Sequence, residues 1–493
     1  MPNANQSRVC RLLAMRFGLK GVKVKMVGSV KRKRKSRNNE AAIDKRWMIL
    51  ALFAAVVALT GGASRYDAIQ IIPLRALSAL FLIGSLIFVT KANIAAERIL
   101  CVFFVSFALI VALQLVPLPP SIWQSLPQRD EVVQFGTPLG LQEAWRPLTL
   151  APMRTWNVVG SLVVPGAALL LAVAFQTSYM TLLRIVAALG VVNALFGLIQ
   201  VATGTFSILY LYEVTNKGSP VGILANENHS AVFAACSMLV VTFLGLKLRH
   251  RPSPSWERLV YPIAFFLILF VSLVGGSRAG FLAAIGAILA SMTMLVLSSG
   301  RRGKRPAGDA VRRWLDERPR LILAIPAIIV TLTAVAFLSL DRAPAFRDFI
   351  ARDNFEDLRW SLWPVIVEML ENHWVLGTGF GSFEQVFHVY EPSALLFPSY
   401  VNQAHIDWAQ FIIEGGALAG ILLIGLLAWL VKRVAIMASQ QALRVDAVFW
   451  MSLLVLIAMA SAIDYPLRTP LFQVVTVWLL VALSRDVRDV KTK

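Results

Sequence analysis

Apolar residues along this chain fall into long runs rather than short alternating ones. The runs sit at 47–63, 69–90, 98–118, 156–175, 181–203, 229–247, 259–275, 279–298, 320–340, 407–431, 446–463 and 470–484. A run of about 20 apolar residues is what a helix needs to cross a hydrocarbon core roughly 30 Å thick. A spanning segment must satisfy its own backbone hydrogen bonds, so helices are the expected form. A barrel would show short alternating segments, and none is seen. The pattern predicts an all-α, polytopic bundle of about twelve spans.

The polar stretches between runs set the organisation. Residues 1–46 are basic, with the run Lys31-Arg32-Lys33-Arg34-Lys35 and no apolar core before Trp47. They read as a disordered cytoplasmic leader ahead of an uncleaved first span. Residues 47–340 hold spans one to nine, 341–406 a large loop, 407–484 the last three spans, and 485–493 a tail. Lysine and arginine concentrate in the leader, around Lys247 to Arg258, in 301–320, at Lys432 and Arg433, and in the tail. These segments alternate with the spans so that all fall on one side, the cytoplasmic one by the positive-inside rule. The segments near 119–155 and 204–228, the turn at Gly275 to Arg278, the loop 341–406 and Asp464 to Arg468 fall on the other. Within the large loop, Arg359 to Leu370 has amphipathic spacing, with Trp360, Trp363 and Trp374 suited to headgroup depth.

Composition changes the picture little. The chain is 57% hydrophobic and only 15% charged, which excludes an ordinary soluble domain. Its net charge of +20 would suggest nucleic acid in a soluble protein; here cytoplasmic loops account for it, and no nucleic-acid partner is expected. Three cysteines show no disulfide or metal-ligand spacing. No metal or cofactor is expected.

Four polar clusters share the non-cytoplasmic face. They are Asn226-Glu227-Asn228-His229, Ser277-Arg278, Arg359 with its tryptophans followed by His373 and Gly377 to Gly381, and His405-Ile406-Asp407 with Glu414 further in. Each also has a structural reading: a helix cap, a snorkelling arginine, a turn, a charge at a helix N-terminus. Their convergence on one face favours function, because ionisable groups at membrane depth are costly. Arginine forks match phosphate oxygens, and histidine can act as a base near neutral pH. The set suits handling of a lipid pyrophosphate.

The stretches GILANENHSA at 222–231, GGSRAG at 275–280, RWSLWPVIVEMLENHWVLGTGFGSF at 359–383 and AHIDWAQFIIEGGALAG at 404–420 resemble, in order and spacing, the O-antigen ligase family. DYPLRTP at 464–470 looks like a motif from one branch. The resemblance covers roughly 190–470. It implies a GT-C-type membrane glycosyltransferase that moves a glycan from undecaprenyl pyrophosphate to an acceptor, with inversion and without a metal. The acceptor would be a glycolipid such as lipid A-core for a ligase, or a second lipid-linked glycan for a polymerase. By position the catalytic residues would be Arg278, Arg359 and His405. Asn226, Asn228, His229, Ser277, Asp407 and Arg468 would contact substrate. Ile406 stands where many members carry asparagine, and Trp374 follows His373 where they often carry proline. The implied place is a bacterial inner membrane, with the site periplasmic and both termini cytoplasmic. A transporter would instead show inverted repeats and polar breaks at mid-membrane.

Overall fold

The computed structural model describes residues 46–248, 257–299, 354–393, 396 and 401–491, and the side chains of 257, 258, 299, 354–360 and 488–491 lie outside that description. The basic leader and the span expected at 320–340 fall outside the described residues. Leu50–Lys493 forms one compact unit.

The described chain is mostly helical. The long elements are α1 Arg46–Thr60, α2 Ile71–Leu86, α3 Arg98–Leu113, α4 Pro152–Ser161, α5 Val163–Phe175, α6 Tyr179–Thr203, α7 Glu227–Leu248, α8 Glu257–Val274 and α9 Arg278–Ser299. They continue with α10 Asn354–His373, α11 Phe383–Tyr390, α12 Asp407–Ala438, α13 Arg444–Ile463 and α14 Pro470–Lys491. Among the described residues, seven helical segments are long and apolar enough to cross a membrane: α4 with α5, α6, α7, α9, α12, α13 and α14. Four others are apolar but shorter, at α1, α2, α3 and Leu259–Val274. The number twelve thus counts apolar runs, whereas length separates these helices into two groups.

The sequence explains the boundaries. Ser178 starts α6 by accepting from the Thr181 amide, and Gly204, at φ 71°, ends it. The Asn226 side chain accepts from the Asn228 amide at 2.8 Å, capping α7. α7 is the most enclosed span, with 78% of its apolar window buried against 28% for α9 and α12. It packs on α6, α8, α9 and α13. The low burial of α9 and α12 leaves apolar faces that a bilayer would cover.

Two segments outside the spans build a cap. In the first, Pro117–Leu118 pairs antiparallel with Arg146–Pro147, and buried Trp123 donates its indole N–H to the Ala144 carbonyl. The second holds α10 and α11, with Trp363 and Trp374 about half exposed. Between them Gly377 to Gly381 forms a splice rather than a helix. The Thr378 and Gly379 amides donate to the Ile413 and Glu414 carbonyls at 2.9 Å, and the Ala417 amide donates to the Val375 carbonyl. This works because α12 breaks at Gly416, where φ is 65°. The break frees main-chain groups that the glycine segment satisfies. Gln114, at the end of α3, spans the junction: its amide donates to the Glu414 carbonyl at 2.8 Å and accepts from the Phe380 amide at 2.9 Å.

Candidate functional site

Where α13 gives way to α14, Asp464 meets side chains from α7 and from the loop before α12. Its Oδ2 accepts from the Asn228 side chain at 3.1 Å, and its Oδ1 from the Tyr465 amide at 2.9 Å. Asn228 in turn accepts from the Ser277 hydroxyl at 2.7 Å. Ser277 also caps α9, accepting from the Gly280 amide at 2.9 Å. The short loop before Arg278 is therefore tied to Asp464 through two side-chain hydrogen bonds. Arg278 opens α9 and is partly buried.

Two imidazoles face the same carboxylate oxygen. His229 Nε2 and His405 Nδ1 each lie 3.7 Å from Asp464 Oδ1. That is beyond hydrogen-bond length. Neither nitrogen has a hydrogen-bond partner, although both are shielded from solvent. Tyr465 stands edge-on to both rings, at 5.1 and 4.9 Å. The two histidines differ in access. His229 is 1% exposed, with its other nitrogen 3.1 Å from the Thr469 hydroxyl; His405 is 31% exposed. Only His405 presents a face to open space. Its backbone has φ 54°, a left-handed conformation uncommon for a residue with a side chain. Holding it there costs about 1–3 kcal/mol.

Burial opposes the Asp464 charge, but His229 and His405 overcome it and hold the carboxyl below the ordinary carboxylate range. The arrangement thus favours the charged form of Asp464, a negative charge behind His405.

A second polar group adjoins the first. Arg468 donates to Glu414 Oε2 at 2.9 Å, and its Nε lies 3.6 Å from Asp407 Oδ1. Asp407 also accepts from the Leu467 amide. Glu414 is completely buried, and Gln410 donates to its other oxygen at 3.1 Å. Asp407, Glu414 and Arg468 reach the wall of a cavity of about 470 Å³ between α2, α3, α4, α5, α12 and α14.

A family model described as O-Antigen ligase matches residues 263–424. That stretch is similar to the O-antigen ligase family. No curated protein matches the chain. The family implies a ligase- or polymerase-type function in the membrane. The matched stretch contains Arg278, Arg359, His405, Asp407 and Glu414. Asn228, His229, Asp464 and Arg468 lie outside it, yet they complete the cluster around its histidine.

Of the residues singled out from sequence, Asn228, His229, Ser277, His405, Asp407 and Arg468 converge on this region. Arg278 is next to Ser277 in the same turn. Asn226 is one step removed, as the cap of α7. Arg359 lies on α10, and its side chain is outside the described residues. Asp464 and Tyr465 belong to this cluster, and sequence reasoning did not single them out. The available signal was an aspartate closing an apolar run, four residues before an arginine, in a motif already noted. Among the described residues, no group of three or more His, Cys, Asp or Glu side chains could hold a metal ion.

Proposed function

We propose that this protein is a glycosyltransferase of the O-antigen ligase type, acting at the periplasmic face of a bacterial inner membrane. Its donor is a glycan on undecaprenyl pyrophosphate, and its acceptor a glycolipid of the lipid A-core kind. The reading includes a GT-C-like arrangement of about twelve spans with both termini cytoplasmic. The observation that carries it is His405: solvent-facing, backbone-strained, inside the matched stretch, with a buried carboxylate behind it.

The chemistry follows from that geometry. Asp464 faces Nδ1, so Nδ1 carries the proton and Nε2 keeps its lone pair. Nε2 takes the proton of the acceptor hydroxyl. The hydroxyl oxygen attacks the anomeric carbon from the side opposite the pyrophosphate, the carbon–oxygen bond to pyrophosphate breaks, and configuration inverts. As His405 becomes cationic, the 3.7 Å gap to Asp464 closes to a charge-assisted bond. Arg278 and Arg359 bind the pyrophosphate and stabilise its departing charge. Metal-independent inversion needs no further group.

The test replaces His405, Arg278 and Arg359 singly by alanine in a deletion host, with membrane insertion confirmed. His405→Ala should lower transfer by about 10²- to 10⁴-fold, the range of general-base assistance. Long chains should then accumulate on the carrier. Short units accumulating instead would assign the protein to chain polymerisation. An unchanged glycan profile with all three proteins inserted would remove the reading.

A further inference from the structure

The 470 Å³ cavity does not contain Arg278 or His405, and it is built largely from helices outside the matched stretch. Its lining is mostly apolar, with Arg75, Asn157, Ser161, Gln473 and Thr476 among the polar side chains and a denser polar group toward the His405 loop. Tyr66, Arg154, Gln403, Asp407 and Arg468 line that end, at the level of the His405 loop. Most of the remaining wall is apolar, with Phe103, Phe104 and Phe107 on α3, Leu423 and Leu426 on α12, and Leu480 on α14. Leu423 and Leu426 lie two to three turns beyond the break at Gly416, so the apolar part runs along the helix axes.

Arg154 is fixed at the polar end. Its Nη2 donates to Glu384 Oε2 at 3.2 Å, and its Nε and Nη2 reach the Gln385 amide oxygen at 2.8 and 2.7 Å in that amide's satisfied orientation. Its guanidinium carbon lies 3.5 Å from the centre of the Tyr66 ring. One edge is left over. Nη1 is shielded from solvent and has no hydrogen-bond partner. An orphaned donor on a charged group costs more than a neutral one, so its persistence points to a missing acceptor. A guanidinium held by three contacts with one free edge is organised for an anionic oxygen.

The geometry points to a second lipid subsite: the cavity takes one apolar chain along its length, and Arg154 Nη1 binds the phosphate at the head of that chain. The chain could belong to a polyprenyl phosphate or to an acylated phosphoglycolipid, which share this chemistry. The assignment rests on the glycosyl-transfer reading only for the identity of the head, not for the cavity or the free guanidinium edge.

Full-length protein in lipid nanodiscs would be photolabelled with two diazirine probes, a polyprenyl pyrophosphate and an acylated phosphoglycolipid. Phosphate-free counterparts of both serve as controls. Labelling should map to α3 and to the second half of α12. It should fall about fivefold or more in Leu423→Trp, or in the smaller Leu423→Phe if the tryptophan variant does not insert. It should be unchanged in Leu418→Trp, whose side chain faces outward on the same helix at 60% exposure. Arg154→Gln should cut labelling by the phosphate-bearing probe about tenfold and leave the phosphate-free probe unaffected. Whichever probe labels names the source of the chain. The subsite is overturned if neither probe labels these helices, if both Leu423 variants label as wild type, or if Arg154→Gln does not distinguish phosphate-bearing from phosphate-free probes. His405→Ala keeps the two readings apart: it should abolish transfer with labelling intact. Transfer surviving in His405→Ala would sink the transferase reading while the labelling pattern still decides the subsite.

Discussion

The two ends of the helical bundle handle buried charge in opposite ways. α14 links them: Thr469, beside His229, precedes its start, and Arg485 lies near its end. Its 22 residues span roughly 33 Å. At the Arg485 end every contact is short. Arg485 and the Ser484 hydroxyl both donate to Glu97 at 2.8 Å, and Arg485 further donates to the Ala172 and Thr177 carbonyls. Trp450 donates to Asp486 at 2.9 Å, and Lys247 pairs with Asp446. At the Asp464 end one carboxylate oxygen stands 3.7 Å from each of two imidazole nitrogens that have no other partner. A saturated pair locks helices together. An unsaturated one keeps a fixed charge near a group that can still change its protonation state.

If that contrast is right, mutations at the two ends should separate stability from turnover. Arg485→Leu removes a cation paired with buried Glu97, and losing one member of a buried pair costs about 3–5 kcal/mol. The expected outcome is a large drop in the thermal midpoint in detergent, with normal transfer per folded molecule. Lost turnover in fully folded Arg485→Leu protein would break the comparison. Asp464→Asn removes the charge behind His405 and keeps its shape. It should reduce kcat by about a hundredfold, within the reach of general-base assistance, and leave KM nearly unchanged. Asp464 is depressed below its unfolded value of 3.8, so its stabilising contribution is present above that pH and lost only below it. Acidification from pH 7 to pH 5 should therefore leave the Asp464 contribution to the thermal midpoint intact.

How much of this was visible in the chain itself can be argued element by element. Apolar runs located the helices, because the need to satisfy backbone groups in lipid is written locally. They did not separate α1, α2 and α3 from the longer helices, since an apolar run shows composition more clearly than helix length. The polar cluster was legible as residue types at one face, and Asn228, Ser277 and His405 do meet there. What joins them is Asp464, which is 236 residues from Asn228. No periodicity encodes a contact of that range. Arg154 was invisible for the same reason, since its orphaned edge depends on where Glu384, Gln385 and Tyr66 sit. The glycine stretch read as a turn by itself, and its partner is the broken backbone of α12. Gly379 tests this assignment. It has φ 99°, and a Cβ there would lie 2.0 Å from the Thr149 hydroxyl. Gly379→Ala should cost about 1–3 kcal/mol through strain and overpacking, read as a lower thermal midpoint. Unchanged stability with lost transfer would mean that the segment binds substrate instead.

The smallest expected effect comes from the histidine that lacks a carboxylate. His373 is 7% exposed, and its Nε2 lies 2.9 Å from the Tyr390 hydroxyl. Burial, with help from Arg129, pushes its pKa down to about 4. The unfolded chain takes up the proton near 6.5 and the folded one only near 4, so stability is full above pH 6.5 and declines on acidification towards pH 4. Wild type should lose roughly 1–3 °C of thermal midpoint between pH 7 and pH 5 beyond what His373→Gln loses. Transfer at pH 7 should be unaffected by that substitution, because a buried, neutral imidazole bonded to Tyr390 is not placed to exchange a proton with a substrate. A collapse of transfer in His373→Gln would mean that a cap histidine participates in turnover, and the distinction between partnered and unpartnered buried groups would no longer locate the site.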